Sequence, residues 1–282
     1  MYFEKLKFSI SKSIGVDYEI IKINNSFEKL SIGKAYNKGG RMSKFSNLVF
    51  LHEDIVFHTK DWGLILLDFL STLNNPGVIG IAGSSYLPIV PSDWWVSDQS
   101  YLHMNFLSNN KEVNEGKGRL KSIGIQEPQE VFALDGMFLA MNKSVWEEFL
   151  FDESLPGFHG YDTSICYRVS QKFQNYFIPG LLIEHFSKGY PNETWLMNTI
   201  SSNRSIFSHI LNTKKGTLIN KKLEIKTYHL FLGQLKKYAP NYGFAVSLSS
   251  FYLFKLNSCF ISGRSFLIWF YFQFVYLKKL LK

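Results

Sequence analysis

The sequence predicts an α/β fold in which a mostly parallel sheet is flanked by helices and followed by a helical tail. Two observations carry this. Over the first 190 residues, segments with apolar residues at helical spacing alternate with short runs rich in β-branched and aromatic residues. Two of those runs, NLVFL at 47–51 and GVIGIAG at 77–83, are almost wholly apolar, as strands covered on both faces are.

The elements follow in order. Phe3, Leu6, Ile10 and Ile14 recur at helical spacing, and Gly15 stops that helix. YEIIKI at 18–23 reads as a short strand ending in the Asn24-Asn25-Ser26 turn. A helix over 30–44 leads into NLVFL, another follows from Asp61 to Leu73, and GVIGIAG is the next strand. From Ser84 to Glu130 the alternation lapses into a polar stretch carrying Trp94-Trp95 and KEVNEGKGRLKSIG, and loops this long usually bind something or form a lid. Residues 131–153 give a strand, an Asp135-Gly136 turn, a second strand and a helix. GYDTSICYRVSQKF is helical, and YFIPGLLIEHFSKG gives a strand and its exit. The expected domains are 1–190 and a helical, basic, aromatic-rich region at 191–282.

Composition narrows the function classes. With 46% hydrophobic and 19% charged residues, 8 Pro and 20 Gly among 282, the chain can bury a core and is neither disordered nor collagen-like. Cys166 and Cys259 lack CxxC spacing, which gives no support to a disulfide framework or cysteine zinc site and fits a reducing compartment. The opening MYFEKLKFSI lacks the pattern of a secretory signal, so a cytoplasmic location is expected.

Residues 1–219 carry 21 Lys and Arg against 22 Asp and Glu, a net −1, whereas 220–282 carry 10 against Glu224 alone, a net +9. No apolar run in that tail reaches the roughly 18–20 residues of a spanning helix. Two readings of it stay open: helices packed on the main domain, or interfacial helices held peripherally on the inner face of the cell membrane by Lys278, Lys279 and Lys282. No nucleic-acid partner is expected, because the basic residues sit among bulky apolar ones without separated aromatic platforms.

Four acid or histidine sites fall at a strand exit or the mouth of the following helix. His52-Glu53-Asp54 follow NLVFL directly. Carboxyl ends of strands in an open sheet face the ligand crevice, and alternate residues His52 and Asp54 point to one side, where they can hold a divalent cation against a diphosphate. A solvated turn would have the same composition. Asp135-Gly136 follows another strand, where such a pair is often only a turn. Asp162 opens a helix in FHGYD, where a first-turn acid also suits the helix dipole. His185 ends an apolar strand, a place where a lone histidine is more often structural than a ligand.

The order of these sites over residues 1–190 resembles that of the GT-A (Rossmann-like) glycosyltransferases, specifically the bacterial family 2-like enzymes that take a sugar from a nucleotide diphosphate. SIGKAYNKGGRMSKFSNLVFLHEDIVF is similar to the family segment in which a helix with an Asn-x-Gly turn precedes the strand bearing the DxD-type motif. ALDGMFLAMNKSVWEEFLFDESLPGFHGYDTSICYRV is similar to the family's Asp-Gly, FDE stretch and catalytic acid before a helix ending in Arg. The resemblance implies Asp54 as metal-bridging acid with His52 and His185 beside it, Asp162 as general base, and Asp135 with Gly136 contacting sugar or acceptor. It further implies Asn24, Asn25, Ser26, Lys34, Asn37 and Glu53 toward the nucleotide.

Two departures are visible: His52 stands at the first DxD position, and Asn24-Asn25 where an Asp is common. The family's first apolar strand is also absent ahead of the first helix. What is implied is an inverting, metal-dependent transferase using Mn²⁺ or Mg²⁺ and a nucleotide-diphosphate sugar. Its acceptor would be a glycan or a lipid-linked glycan in surface polysaccharide synthesis. Tyr161, Trp94 and Trp95 offer apolar faces on which sugar rings can stack, and a buried core role is equally open for the two tryptophans. The alternative is a catalytically weakened protein of the same fold that binds nucleotide sugars or glycans. A metal-dependent hydrolase using Asp54, Asp162 and His185 lacks the HxH or HxxxH spacings that would favour it.

Overall fold

A computed structural model describes residues 2–108, 118–119, 127–186, 191–214, 219–260 and 262–280. The chain divides into two units, Met1–Tyr86 with Tyr101–Tyr190, and Leu87–Ser100 with Pro191–Lys282.

In the first unit, α1 (Tyr2–Ser13) ends before Gly15, whose φ of 73° lies in the left-handed region. The YEIIKI segment forms no strand and remains irregular, with Ile20 exposed. Its β-branched residues favour extension, but extension without a ladder partner is not a strand. Ser31 caps α2 (Ile32–Met42) by accepting from the Lys34 N–H. Then come β1 (Asn47–Leu51), β2 (Ile55–Phe57), α3 (Trp62–Thr72), β3 (Pro76–Gly80) and β4 (Ala82–Ser84). After these come β5 (Leu102–Met104), β6 (Phe106–Ser108), β7 (Gly118–Arg119), β8 (Gln129–Glu130), β9 (Ala133–Leu134) and β10 (Phe138–Asn142). The unit closes with α4 (Lys143–Phe149), α5 (Tyr161–Val169), β11 (Gln174–Phe177) and β12 (Ile183–His185). Most of KEVNEGKGRLKSIG lies outside the described residues.

The α/β class holds, but the sheets are mixed and not mostly parallel. A five-stranded sheet runs β1-β10-β3-β11-β8, in which only β3 and β11 are parallel neighbours. A four-stranded sheet runs β2-β12-β6-β7, with only β12 and β6 parallel, and β5-β4-β9 is antiparallel. Hydrophobic alternation reports strands but not their direction. The Asp135-Gly136 turn feeds β10, which runs antiparallel to both its neighbours. The core beneath the large sheet gathers Leu48, Phe50, Leu139, Met141, Trp146, Phe151, Ile165 and Phe177. Asn175 ties three of its elements together, accepting from the Val78 N–H at 2.9 Å and donating to the Cys166 carbonyl at 2.6 Å.

The second unit contains α6 (Glu193–Lys214), α7 (Lys221–Tyr238), α8 (Tyr242–Cys259) and α9 (Gly263–Leu280). Asn220 and Asn241 cap α7 and α8 by accepting from the Leu223 and Phe244 N–H groups. Buried Leu223, Tyr228, Phe231, Leu232 and Leu235 give α7 one apolar stripe, and Ala245, Leu248, Tyr252 and Leu256 give α8 another. Among the described residues no helix is long and apolar enough to cross a membrane.

Candidate functional site

Two strand registers assemble the site. In the β1–β10 ladder, Leu51 pairs with Phe138, and the ladder runs one bond further, from the His52 N–H to the Met137 carbonyl at 3.2 Å. That register sets the Asp135-Gly136 turn beside His52. In the β2–β12 ladder His185 lies opposite Ile55, and the next bond runs from the Phe186 N–H to the Asp54 carbonyl at 3.0 Å. His185 is thereby set against Asp54, 131 residues earlier in the sequence.

Candidate ligand atoms of His52, Asp54 and His185 all lie within 4.8 Å of one another. His185 Nε2 is 3.4 Å from Asp54 Oδ1, an ion-pair distance. That nitrogen is buried and makes no hydrogen bond within the described residues, so the pair is held by charge rather than by an aligned bond. Burial disfavours a charged imidazole, yet Asp54 and Asp135 outweigh it and raise the His185 pKa above its ordinary value. Burial pushes the Asp54 carboxyl the opposite way, but His185 and His52 outweigh it and hold the pKa below the usual carboxylate value. His52 is dominated by burial, which lowers its pKa against the pull of Asp135 and Asp54 and keeps it neutral.

The residues suit a cation. Two imidazoles and one carboxylate form a coherent donor set, and one of their atoms, the buried His185 Nε2, makes no hydrogen bond within the described residues. His52 Nε2 lies 2.7 Å from the Tyr161 hydroxyl. With the proton on Nε2 and donated to that oxygen, Nδ1 presents its lone pair, the arrangement that outer partners impose on metal-binding histidines.

Another side of the cluster comes from the entry to α5. Gly160 precedes the helix at φ 76°, so the chain turns sharply and delivers Tyr161 and Asp162 together. Asp162 Oδ2 accepts from the Gly136 N–H at 3.2 Å and Oδ1 from the Thr163 N–H at 2.8 Å, which fixes the carboxylate at the positive end of the helix. Asp135 Oδ1 accepts from the Met137 N–H at 2.8 Å. Arg168, in the last turn of α5, donates to the Phe149 and Leu150 carbonyls and anchors the helix to the end of α4.

Gly136 is required by contact. A Cβ there would run into the hydroxyl and ring of Tyr161. Gly136→Ala is expected to cost about 1–3 kcal/mol and to break the Tyr161–His52 bond. The check is a thermal melt together with Mn²⁺ titration, and wild-type values for both would contradict the packing.

The His185–Asp54 pair also predicts a pH window for stability. The raised His185 pKa contributes stability that is fully present below its unfolded value of 6.5 and is lost as pH rises through the folded value. The depressed Asp54 pKa contributes stability that is present above 3.8 and is lost as pH falls through the folded value. The melting-temperature gap between metal-free wild type and Asp54→Asn is therefore expected to be widest between those two values. A gap independent of pH would remove the ion pair.

Some expected residues lie elsewhere or are occupied. Tyr161 is only 3% exposed and offers no open face for a sugar, because its ring fills the space over Gly136. Asn37 is wholly buried, where it donates to the Phe151 carbonyl and Glu153, and accepts from the Phe151 N–H and the Trp146 indole. Asn24 accepts from the Ser26 N–H and hydroxyl, and Asn25 bonds both backbone groups of Leu30, so the three residues shape their own turn. Lys34 and Glu53 are exposed. Trp94 and Trp95 pack edge to face with each other in the second unit.

One residue escaped the sequence. The Tyr36 hydroxyl is buried against Tyr161, and burial raises its pKa, with Asp162, Asp135 and Asp54 adding to the rise. The Tyr36 ring packs edge to face against Tyr161, the partner of His52. The available signal was Tyr36 within the AYNKGG run, which reads as an ordinary core aromatic.

Among solved structures, this chain is similar to GalNAc-T7 crystallised with UDP, GalNAc and Mn²⁺, at 17% identity and a TM-score of 0.42 over 80% of this chain and 41% of that one. It is also similar to residues 1–349 of S. aureus TarS in complex with UDP-GlcNAc, at 9% identity and a TM-score of 0.40 over 98% and 77% of the two chains. This chain thus spans about two fifths of the GalNAc-T7 chain. No curated protein matches it. The sequence model of the glycosyltransferase-like family matches residues 2–209, a stretch holding every described strand and the His52, Asp54, Asp135, Asp162 and His185 positions, and the chain belongs to that family.

Proposed function

We propose that the chain is an inverting glycosyltransferase that moves a sugar from a nucleotide diphosphate to a hydroxyl of a glycan or lipid-linked acceptor, in the synthesis of a surface polysaccharide. The observation that carries this reading is the convergence of four separate segments: His52, Asp54 and His185 cluster, His52 bonds Tyr161, and Asp162 beside Tyr161 accepts from Gly136 of the Asp135-Gly136 turn. His52, Asp54 and His185 would hold a divalent cation, and Mn²⁺ suits two imidazoles better than Mg²⁺, which prefers oxygen ligands. Such an ion, when bound, neutralises charge on the departing diphosphate.

Asp162 accepts the proton of the attacking hydroxyl. Its bonds from the Gly136 and Thr163 N–H groups orient the carboxylate. Direct attack on the face opposite the diphosphate inverts the anomeric carbon. Asp135, whose Oδ1 accepts from the Met137 N–H, would accept from a sugar hydroxyl. Tyr161 holds His52, and burial keeps its phenol neutral, as a hydrogen-bond partner to an imidazole should be.

The test is calorimetric titration of the full chain with UDP-, GDP-, TDP- and CMP-sugars with and without Mn²⁺, alongside nucleotide release. One diphosphate donor is expected to bind more tightly with Mn²⁺ and to be turned over slowly to free sugar. Tight binding without release of nucleotide would make the chain a binding protein, and no binding to any donor would end the proposal.

A further inference from the structure

Among the described residues, one side of α9 in the helical unit presents large apolar side chains to solvent. On α9 the side chains of Ser265 and Phe272 are buried, and the Trp269 indole donates to the Ser249 hydroxyl of α8 at 3.1 Å. The opposite side presents Phe266, Leu267, Phe270, Tyr271 and Phe274, between 37% and 71% exposed. At helical spacing these five fall within an arc of about 140°. Their exposure is too concentrated to be the scatter of single apolar residues normal on a surface. On α8, Phe251 and Phe254 are also exposed, with the Lys255 ammonium 5.4 Å from the Phe251 ring centre.

Charge identifies the occupant. Over 220–282 ten basic residues stand against one acid, Glu224. Glu224 is fully buried, with both carboxylate oxygens accepting from the Ile89 N–H at 3.1 and 3.3 Å. The surface of α7, α8 and α9 therefore carries cations and no acid. Arg264 flanks the apolar arc of α9, and Lys221, Lys222, Lys226 and Lys237 are exposed on α7. Lys282 and the side chains of Lys278 and Lys279 lie outside what the structure describes. A second copy of the chain would set like charge against like charge across the face. A polynucleotide would leave the phenylalanine stripe unmatched. A bilayer surface with anionic headgroups matches both halves, since the aromatic side chains enter the acyl boundary and the cations stay at headgroup level.

We propose that α9 docks the protein in the plane of an anionic lipid surface, with Phe266, Leu267, Phe270, Tyr271 and Phe274 inserted and the surrounding cations on the headgroups. This does not depend on sugar transfer, so Asp54→Asn is expected to dock as wild type does. The experiment is flotation of the full chain with vesicles of phosphatidylglycerol and phosphatidylcholine, and with phosphatidylcholine alone. Wild type is expected to float with the anionic vesicles and at least about tenfold less with the neutral ones.

The double variant Phe270→Ser/Phe274→Ser changes only exposed positions and is expected to melt as wild type while partitioning at least about tenfold less. Leu267→Ser is a second, milder probe of the same face. Flotation of the double variant equal to wild type, or equal binding of wild type to neutral and anionic vesicles, would overturn the proposal. So would a wild-type dimer in sedimentation that the double variant abolishes, since the face would then be covered by a second copy.

Discussion

Asp162→Asn is expected to lower the rate of sugar transfer by about 10²–10⁴ while donor affinity stays within a few fold of wild type. The argument starts from the hydrogen bonds. Both carboxylate oxygens accept from backbone N–H groups, Gly136 on one side and Thr163 on the other. An amide has one oxygen, so Asn satisfies one of these donors and turns its own N–H₂ toward the other. That mismatch costs about 1.5–3 kcal/mol of stability, because a charge-assisted bond is lost. The variant should therefore melt several degrees lower and still fold. The chemical loss is separate: an amide cannot take the acceptor proton. Calorimetry for donor binding and a coupled assay for nucleotide release distinguish the two effects. Turnover within a few fold of wild type in a folded variant would remove Asp162 from the role of base.

Asp54→Asn is expected to weaken Mn²⁺ binding by at least about 100-fold, beyond the 10–100-fold typical of outer partners. The carboxylate is the one anionic donor in the cluster with His52 and His185. Its loss also reverses the balance at His185. With the Asp54 charge gone, burial becomes the stronger influence, and the imidazole pKa should fall from above its ordinary value toward or below it. A proton NMR titration of His185 in metal-free protein reads this without any assay of activity. An unchanged His185 titration in the variant would mean that the 3.4 Å pair does not form in solution.

Helices and strands were legible wherever a period ran long enough. The apolar spacing of α1, the run NLVFL and the strand-turn-strand-helix of 131–149 all appear near the expected boundaries. The YEIIKI segment was not, because composition reports a preference for extension while a strand needs a neighbour to pair with. Strand direction was illegible for the same reason: antiparallel β1–β10 pairing joins residues more than 85 apart.

For the site, position at strand ends pointed to His52, Asp54, Asp135, Asp162 and His185, and the ladder registers bring these together. Individual roles were harder to read. Tyr161 and Asn37 were expected at a ligand, yet one packs over Gly136 and the other is spent inside the core, because burial is decided by distant partners such as Trp146 and Phe151. Tyr36 was missed because nothing in its neighbours in sequence signals three carboxylates arriving from elsewhere.

Asn37 has a wider consequence. Its four bonds to Phe151, Glu153 and Trp146 fasten the helix bearing Tyr36 to the segment that leads into Asp162. The two should open only as one cooperative block, with amide protons in both exchanging at a common slow rate. Loading of a donor would then have to proceed by motion of other segments, since this wall of the site behaves as a fixed anvil.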